Sequence, residues 1–397
     1  MYLFLSVFSY LCYLCYIRGS YSREELHKLE DKIIAKCSTS TVSDDQRIVH
    51  TSSGNWEVHS FIVIGGRDSR GLKPPFLYIN GVLSCALTNI DSFDALSEHY
   101  DIYVMNVPGF GRTASPSITA IADVQEILAM YSEFINAYID SFQLKKVHVV
   151  GHSFGGFISI QFASDYPDRV EKMVLTDFPG TLPVGGALSF YWALFFKYRP
   201  IFRICRFFGR FLVGLVRSLT ADPWTDYYTS LYAQQTATGD DYVARCITIT
   251  GTKSWWNLPV LPSILRLKVP LALIWGEKDL ITVPKHGKLL VALSGSAGLH
   301  CYLVKDAFHN TVFTNNGADY TYCVMRAFEN AVILGEDAQH VAQQLNTKDL
   351  WFDHETFDWV KSTPNVWASD RSVLLFEEHI KTHANGRPSL GKIHLIG

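Results

Sequence analysis

One serine in the chain lies where a serine side chain could act as a nucleophile. Ser153 is the centre of a Gly-x-Ser-x-Gly sequence, Gly151–Gly155, which follows the apolar run Val147–Val150 and precedes a helix-like run from Phe154. This layout predicts a tight turn between a strand and a helix that presents the serine hydroxyl. The glycines lack a Cβ where the two backbones meet. The backbone N–H of Phe154 is the first predicted donor to a developing oxyanion.

A serine hydroxyl needs a base to remove its proton, and the base needs an acid to orient it. After this kind of turn the expected chain order is serine, acid, histidine. Asp279 follows the strand candidate Leu271–Trp275, and His309 follows the strand candidate Leu299–Val304. Because the carboxyl ends of parallel strands meet at one edge of a sheet, we expect Asp279 as the orienting acid and His309 as the general base, both beside the serine.

Other residues compete for these two roles. Asp177 also ends a strand candidate and stays open as the acid, although the chain order favours Asp279. His152 adjoins the serine, and we expect it to shape the turn because adjacent side chains point in different directions. Glu277 and Asp306 are expected to be structural or solvated.

A second oxyanion donor is expected from the loop after the strand candidate Phe76–Ile79. There Gly81 lets the backbone approach closely, so the N–H of Val82 is the predicted donor. The alternative is that Gly81 is only a turn residue.

Strand and helix candidates alternate between residues 75 and 176, which predicts an α/β fold with a mostly parallel sheet flanked by helices. The alternation stops in an aromatic, helix-like stretch that we interpret as a helical lid inserted over the sheet. The predicted parts are a hydrophobic signal or membrane anchor (1–20), the first core part (45–180), the lid (181–262), the second core part (263–335) and a C-terminal extension (336–397).

Smaller elements can also be predicted from the pattern. Tyr21–Ser43 is charged and helix-like, and Arg47–His50 with Trp56–Ile64 predict the two strands of a hairpin. Leu299–Val304 is expected to be the last strand, and Tyr320–Ile333 the closing helix.

Composition limits the class of protein. The 397 residues are 48% hydrophobic and 18% charged with a net charge of −3, which is typical of an ordered globular protein and gives no indication of nucleic-acid binding. The first 17 residues carry no charged side chain, which predicts entry into the secretory pathway or a single membrane anchor; the alternative is a buried N-terminal helix. No Cys/His cluster has zinc-site spacing, and Gly109–Gly111 lacks the third glycine of a dinucleotide site, so we expect neither a metal nor an organic cofactor.

The predicted lid has an unusual charge pattern. Between Ala187 and Thr220 there is no acidic residue, while six Lys or Arg residues alternate with aromatic residues. Such a segment is typical of an amphipathic element that contacts a membrane surface, with arginines toward phosphates. The alternative is a lid whose aromatic side chains line a pocket.

Four parts of the sequence together resemble the α/β-hydrolase superfamily over about residues 45–335: Gly151–Gly156, Asn106–Thr113, Trp275–Asp279 and His309. The stretch Tyr166–Val170 followed by an aromatic lid is similar to the abhydrolase-domain lipid hydrolases that act as N-acyl-phospholipid or lysophospholipid lipases. The resemblance implies an ester or lipid substrate.

Two departures from these families bear on function. Asn80-Gly81 stands where the families usually have His-Gly. The His-x4-Asp element linked with acyl transfer in some relatives is absent, because Thr314 lies five residues after His309. The sequence therefore favours a serine hydrolase that cleaves a carboxylic ester of a lipid through an acyl-enzyme. An epoxide hydrolase would need a carboxylate in place of Ser153, and a non-catalytic membrane-associated scaffold that recruits a partner lipase is the remaining alternative.

Overall fold

The computed structural model describes the parts of the chain that form the core. The described residues are 23–35, 40–65, 71–81, 86–108, 113, 124–178, 260–279, 281–284, 286–287, 290–291, 294, 298–304, 307–309, 317–334 and 394–395. The predicted N-terminal segment (1–20), the lid (181–262) up to residue 259, and most of the C-terminal extension (336–397) lie outside these residues. Those three predictions stay predictions.

A nine-stranded sheet forms the centre of the described structure. Its strands are β1 (Ser40–Thr51), β2 (Gly54–Gly65), β3 (Pro75–Ile79), β4 (Asp101–Met105), β5 (Val147–His152), β6 (Val170–Thr176), β7 (Leu271–Gly276), β8 (Cys301–Val304) and β9 (His394–Leu395). They lie side by side in the order β1-β2-β4-β3-β5-β6-β7-β8-β9.

The sheet is mostly parallel, as the sequence predicted. The six strands from β4 through β3 to β8 run parallel, whereas β1, β2 and β9 join the sheet by antiparallel pairing. Every residue of β4 and β7 is buried, because helices cover both faces of the sheet and leave no polar face. The carboxyl ends of the parallel strands lie at the same end of the sheet, and the loops after β3, β5, β6, β7 and β8 begin there.

Helices pack on both faces of the sheet. They are α1 (Arg23–Ile34), α2 (Ile90–Leu96), α3 (Val124–Ser141), α4 (Phe154–Asp165), α5 (Leu261–Leu265) and α6 (Gly317–Asn330). One apolar cluster joins α3, α4 and α5 to the sheet, and a second joins α1, α2 and α6 to the opposite face. In α3 the buried side chains recur at the spacing of one helix face: Ile127, Tyr131, Phe134 and Tyr138.

Three details differ from the expectations. Ser40–Ser43, which belonged to the predicted helix-like stretch, begins β1 instead; its polar residues suit the edge of a sheet, where one row of side chains meets solvent. α6 begins at Gly317 and ends at Asn330, whereas the predicted closing helix covered Tyr320–Ile333. β8 is not the last strand, because β9 pairs with it, and two residues are too few for a strand pattern to show in the sequence.

Candidate active site

Ser153 lies at the turn between β5 and α4. Its backbone angles are φ 51° and ψ −118°, a region that residues with a side chain rarely occupy. Such a conformation costs on the order of 1–3 kcal/mol and persists only where its surroundings impose it. Here the Ser153 N–H donates to the Thr176 carbonyl at 2.9 Å, and the Gly156 N–H donates to the Ser153 carbonyl at 2.9 Å. The strained turn thus sets the direction of the hydroxyl.

Three glycines make this turn sterically feasible. A Cβ on Gly155 would lie 2.1 Å from the Ile79 carbonyl oxygen, and one on Gly151 would lie 2.2 Å from the Ser159 Oγ. A Cβ on Gly81 would lie 2.9 Å from the Ser153 Cβ. Since real Cβ atoms do not approach other atoms so closely, each position needs glycine, and Gly81 brings the end of β3 directly against the serine.

The structure brings the three predicted site residues into one hydrogen-bonded series. The Ser153 Oγ lies 2.9 Å from the His309 Nε2, and the His309 Nδ1 lies 2.9 Å from the Asp279 Oδ2. Ser153 follows β5, His309 follows β8 and Asp279 follows β7. These positions lie close together because the three strands are parallel and end on the same side of the sheet. With Nδ1 donating to the carboxylate, Nε2 is the acceptor that faces the serine hydroxyl, which is the arrangement of a general base.

The Asp279 carboxylate receives four donors. Its Oδ1 accepts from the N–H of Ile281 at 2.7 Å and of Thr282 at 2.9 Å, and its Oδ2 accepts from the Thr282 hydroxyl at 2.6 Å and from His309. Burial alone would raise the pKa of Asp279, but the bonds with His309 and Thr282 outweigh burial and hold the pKa below its ordinary value. The carboxylate is therefore ionised and fixed in direction.

The rival acid, Asp177, lies elsewhere in the site. Its Oδ1 accepts the N–H of Gly276 at 2.7 Å, and its Oδ2 lies 3.9 Å from the Nδ1 of His152. His152 in turn lies 3.0 Å from the Thr176 Oγ1 and is buried. Asp177 joins the ends of β6 and β7, whereas Asp279 is the carboxylate that contacts His309. Glu277 is half-buried and Asp306 lies outside the described residues.

The two predicted oxyanion donors have different outcomes. Phe154 is the first residue of α4 and is buried, so its N–H belongs to the positive end of that helix, beside the Ser153 side chain. Val82 lies outside the described residues, and its role stays a prediction. The described neighbour Gly81 is buried and adjoins Ser153, which places the start of the predicted donor loop at the site.

Sequence reasoning missed Thr282. Its hydroxyl contacts the Asp279 Oδ2, lies 2.9 Å from the Asp177 carbonyl oxygen and lies 3.3 Å from the His309 Nδ1. An Asp that accepts the N–H groups two and three residues later is a common turn pattern, and a hydroxyl residue at the third position often accompanies it. The Asp-x-x-Thr spacing from residue 279 was therefore the signal that could have identified Thr282.

No group of three His, Cys, Asp or Glu side chains that could hold a metal ion occurs among the described residues. Across those same ranges, no helix combines the length and the apolar character that crossing a membrane requires. A serine, a histidine and a buried carboxylate in series can carry out nucleophilic attack on a carbonyl with proton transfer.

Comparisons with known proteins agree with this fold. Abhydrolase domain-containing protein abhd-5.2 of Caenorhabditis elegans is 26% identical over 254 residues, which cover 58% of this chain and 56% of that protein. 1-acylglycerol-3-phosphate O-acyltransferase ABHD5 of Rattus norvegicus is 25% identical over 288 residues, which cover 66% of this chain and 77% of that protein. The chain thus spans just over half the length of the worm relative and about three quarters of the rat one.

A solved structure of a bacterial membrane phospholipase A superposes with a TM-score of 0.57 at 17% identity, covering 83% of this chain and 97% of that one, which shows a shared fold. Residues 74–316, more than half of the chain, match the family model described as alpha/beta hydrolase fold. The protein therefore belongs to the α/β-hydrolase family.

Proposed function

We propose that this protein is a serine hydrolase that cleaves a carboxylic ester of a lipid through an acyl-enzyme. The observation that carries the proposal is the hydrogen-bonded series from Ser153 through His309 to Asp279, with Ser153 held in a strained turn at the start of α4. Backbone strain is costly, so its presence at this residue supports a chemical role for the hydroxyl.

Each side chain has a definite task in the reaction. His309 takes the Ser153 proton at Nε2 while the Ser153 Oγ attacks the ester carbonyl, and Asp279 stabilises the imidazolium that forms. The oxyanion of the tetrahedral intermediate faces the start of α4, where the Phe154 N–H stabilises it. His309 then gives its proton to the departing alcohol, which leaves the acyl group on Ser153. A water molecule, deprotonated by His309, attacks the acyl-enzyme and releases the carboxylic acid.

Hydrolysis is preferred over acyl transfer. The rat relative is named for transfer of an acyl group to 1-acylglycerol-3-phosphate. This chain has Thr314 in place of the aspartate of the His-x4-Asp element, so it lacks the residue that some relatives use for such a transfer. Water is then the acceptor of the acyl group.

A lipid substrate is supported by the segment between Ala187 and Thr220. Its six Lys and Arg residues and its aromatic residues, with no acid among them, suit a surface that carries phosphate groups above acyl chains. N-acyl-phospholipids and lysophospholipids combine both features with an acyl bond that Ser153 could attack. The N-terminal segment, as a signal or anchor, would bring the protein to such a surface.

The catalytic part of the proposal is tested by measuring hydrolysis of p-nitrophenyl butyrate by Ser153→Ala, His309→Ala and the double variant. Each single variant should lose nearly all activity, by a factor of about 10⁴ or more, and the double variant should be scarcely worse, because the residues act as a unit. The exposed hairpin residues Ser53 and His50 provide matched controls as alanine variants. Full activity of Ser153→Ala would refute the role of Ser153, whereas no hydrolysis by the unchanged protein would favour the scaffold function.

The lipid part needs a separate measurement. Arg203, Arg206 and Arg210 changed to Glu should weaken binding to phosphatidylserine vesicles by at least about 100-fold, because each basic group near an anionic surface contributes about 1 kcal/mol. Hydrolysis of soluble p-nitrophenyl butyrate should be unchanged. Lys145 and Lys146, which directly precede β5 at the end of the sheet opposite the site, give the control when changed to Glu. Unchanged vesicle binding by the triple variant would remove the lipid surface from the proposal.

A further inference from the structure

Asp177, directly after β6, has a left-handed backbone conformation. Its φ is 45°, in a region where Asp and Asn occur more often than other residues with a side chain. The residue is buried. Such a conformation is costly, persists only where its surroundings impose it, and is common at functional sites. The role of orienting acid does not explain it, because Asp279 is the carboxylate that contacts His309.

Two hydrogen bonds to β7 hold Asp177 in this conformation. Its N–H donates to the Ile274 carbonyl at 3.1 Å, and its Oδ1 accepts the N–H of Gly276 at 2.7 Å. The main chain and the side chain of one residue thus bind the same strand at two points. A backbone N–H only donates, so the bond to Gly276 needs an oxygen or another acceptor in the side chain at position 177.

The backbone of Asp177 sets the directions of two consecutive carbonyl groups. Because each peptide group is planar, φ and ψ of this residue determine the angle between the carbonyl before it and its own carbonyl. The carbonyl before it, on Thr176, accepts the Ser153 N–H at 2.9 Å. The Asp177 carbonyl oxygen lies 2.9 Å from the Thr282 hydroxyl. One carbonyl therefore contacts the turn that carries the nucleophile, and the next contacts a residue that binds the acid.

The Thr282 hydroxyl connects Asp177 to Asp279. It lies 2.6 Å from the Asp279 Oδ2, and since an ionised carboxylate only accepts, the hydroxyl donates there. A hydroxyl has one proton, and the Asp177 carbonyl also only accepts, so this carbonyl shares the same proton as its second acceptor. The position of the Thr282 oxygen is thus determined by both acceptors, and a shift of the Asp177 carbonyl would change its contact with Asp279.

His309 requires a fixed separation between Ser153 and Asp279. Its Nε2 lies 2.9 Å from the Ser153 Oγ, and its Nδ1 lies 2.9 Å from the Asp279 Oδ2. An imidazole ring is rigid, so both bonds form together only if the nucleophile and the acid keep one distance. Asp177 links the two sides, through the Thr176 carbonyl to Ser153 and through Thr282 to Asp279.

We propose that Asp177 is a positioning residue that holds Asp279 at the distance from Ser153 which His309 can bridge. This inference rests on the proposed ester hydrolysis. The polar groups of Asp177 contact Gly276 and Thr282 rather than the reacting atoms, so its loss should lower kcat and leave KM nearly unchanged. A negative charge at position 177 is not needed for this role, because the Gly276 N–H requires only an oxygen acceptor.

The first test compares Asp177→Leu with Asp177→Asn in the full chain. Leucine offers no oxygen to Gly276 and is disfavoured at positive φ, whereas asparagine offers an oxygen and tolerates this φ. With p-nitrophenyl butyrate, Asp177→Leu should lower kcat by about 100-fold with KM changed less than about twofold, since a misplacement of about 1 Å can cost that factor. Asp177→Asn should stay within about tenfold of the unchanged protein. Equal losses in the two variants would show that the charge is what counts and would overturn the inference.

A second pair of variants covers the case in which leucine disturbs folding. Asp177→Gly permits the left-handed backbone but lacks the oxygen, and it is combined with Thr282→Val. Because Asp177 acts through Thr282, the double variant should lie within about threefold of the slower single variant. Losses that multiply would show independent action and would contradict the inference. Gln143 is the matched control, since it also has a positive φ, of 58°, but is exposed and precedes β5 at the end of the sheet opposite the site. Gln143→Leu should leave kcat unchanged.

A spectroscopic measurement tests the geometry without substrate. The proton on the His309 Nδ1, bonded to Asp279, should give a far-downfield proton NMR signal that is absent in His309→Gln. The signal should persist in Asp177→Asn and Gln143→Leu, and it should be lost or move upfield in Asp177→Leu and Asp177→Gly. Circular dichroism identifies the folded variants. An unchanged signal in a folded Leu or Gly variant would overturn the inference.

The two readouts also separate the inference from the proposed function. If the NMR signals differ as stated but the unchanged protein does not hydrolyse the ester, the proposed function fails and the positioning by Asp177 stands. If the unchanged protein hydrolyses the ester and the Leu and Gly variants at position 177 match it in kcat, only the inference fails.

Discussion

Replacing Asp279 with asparagine should reverse the tautomer of His309. The N–H groups of Ile281 and Thr282 only donate, so they will hold the amide oxygen in the place of Oδ1. The amide nitrogen then takes the place of Oδ2, facing the His309 Nδ1. Because an amide nitrogen donates, His309 must accept at Nδ1 and carry its proton on Nε2, where it can no longer accept the Ser153 proton.

The fold should survive this change. The hydroxyl of Thr282 can accept from the new amide nitrogen and donate to the Asp177 carbonyl oxygen, which lies 2.9 Å away. Every polar group near residue 279 thus keeps a partner, so the change should lower the reaction rate and leave the fold stable. A wrong tautomer costs up to about 10⁴ in kcat in sites of this kind, which corresponds to about 5.5 kcal/mol of transition-state stabilisation.

The assay is steady-state hydrolysis of p-nitrophenyl butyrate, with Asp177→Asn as the matched variant. An asparagine at position 177 can keep its oxygen on the Gly276 N–H, so kcat should fall by less than about tenfold. Thermal unfolding should confirm that both variants are folded. A larger loss in Asp177→Asn than in Asp279→Asn would refute the assignment and make the acid after β6 the functional one.

Two further predictions concern residues near the acid. Thr282→Val removes one of the donors to the carboxylate and should lower kcat by about tenfold at unchanged KM, whereas Thr282→Ser should restore most of it. Burial lowers the pKa of His286 to about 4, so between this value and the unfolded value of about 6.5 the unfolded chain binds more protons. Stability should therefore fall as the pH drops through this window, by up to about 3 kcal/mol. Urea unfolding should be measured at pH 7 and pH 4.5. Between these pH values the free energy of unfolding should fall less in His286→Phe than in the unchanged protein. An equal fall in both would mean that His286 does not cause the loss of stability.

The sheet and the positions of three site residues could be predicted because local pattern and topology determine them. The β-branched runs and the glycines around Ser153 predict the strand-turn-helix, and the parallel order of strands brings the loops with Asp279 and His309 to the same edge. Chain order favours Asp279 over Asp177, but both lie at strand ends on that side of the sheet, so the structure was needed to show which carboxylate contacts His309. In the structure, the side-chain direction of each carboxylate distinguishes them.

Contacts between side chains that lie far apart in the sequence could not be predicted in the same way. The Thr282 hydroxyl lies 2.9 Å from the Asp177 carbonyl oxygen, although the two residues are 105 positions apart. The bond between the Asn106 amide and His59 joins residues 47 positions apart. Such pairs depend on which side chains face each other across strands, and a single sequence carries no periodic signal for that. The local sequence pattern identifies the reacting groups, whereas tertiary packing determines which residues orient them.

The central claim is that Ser153 is an activated nucleophile, and covalent labelling tests it most directly. The full chain is treated with a fluorophosphonate probe, digested, and the modified peptide is identified by mass spectrometry. The proposed function predicts one modification, on Ser153, which is lost in Ser153→Ala and strongly slowed in His309→Ala. Undiminished labelling of Ser153→Ala, or modification at another residue of the unchanged protein, would contradict it.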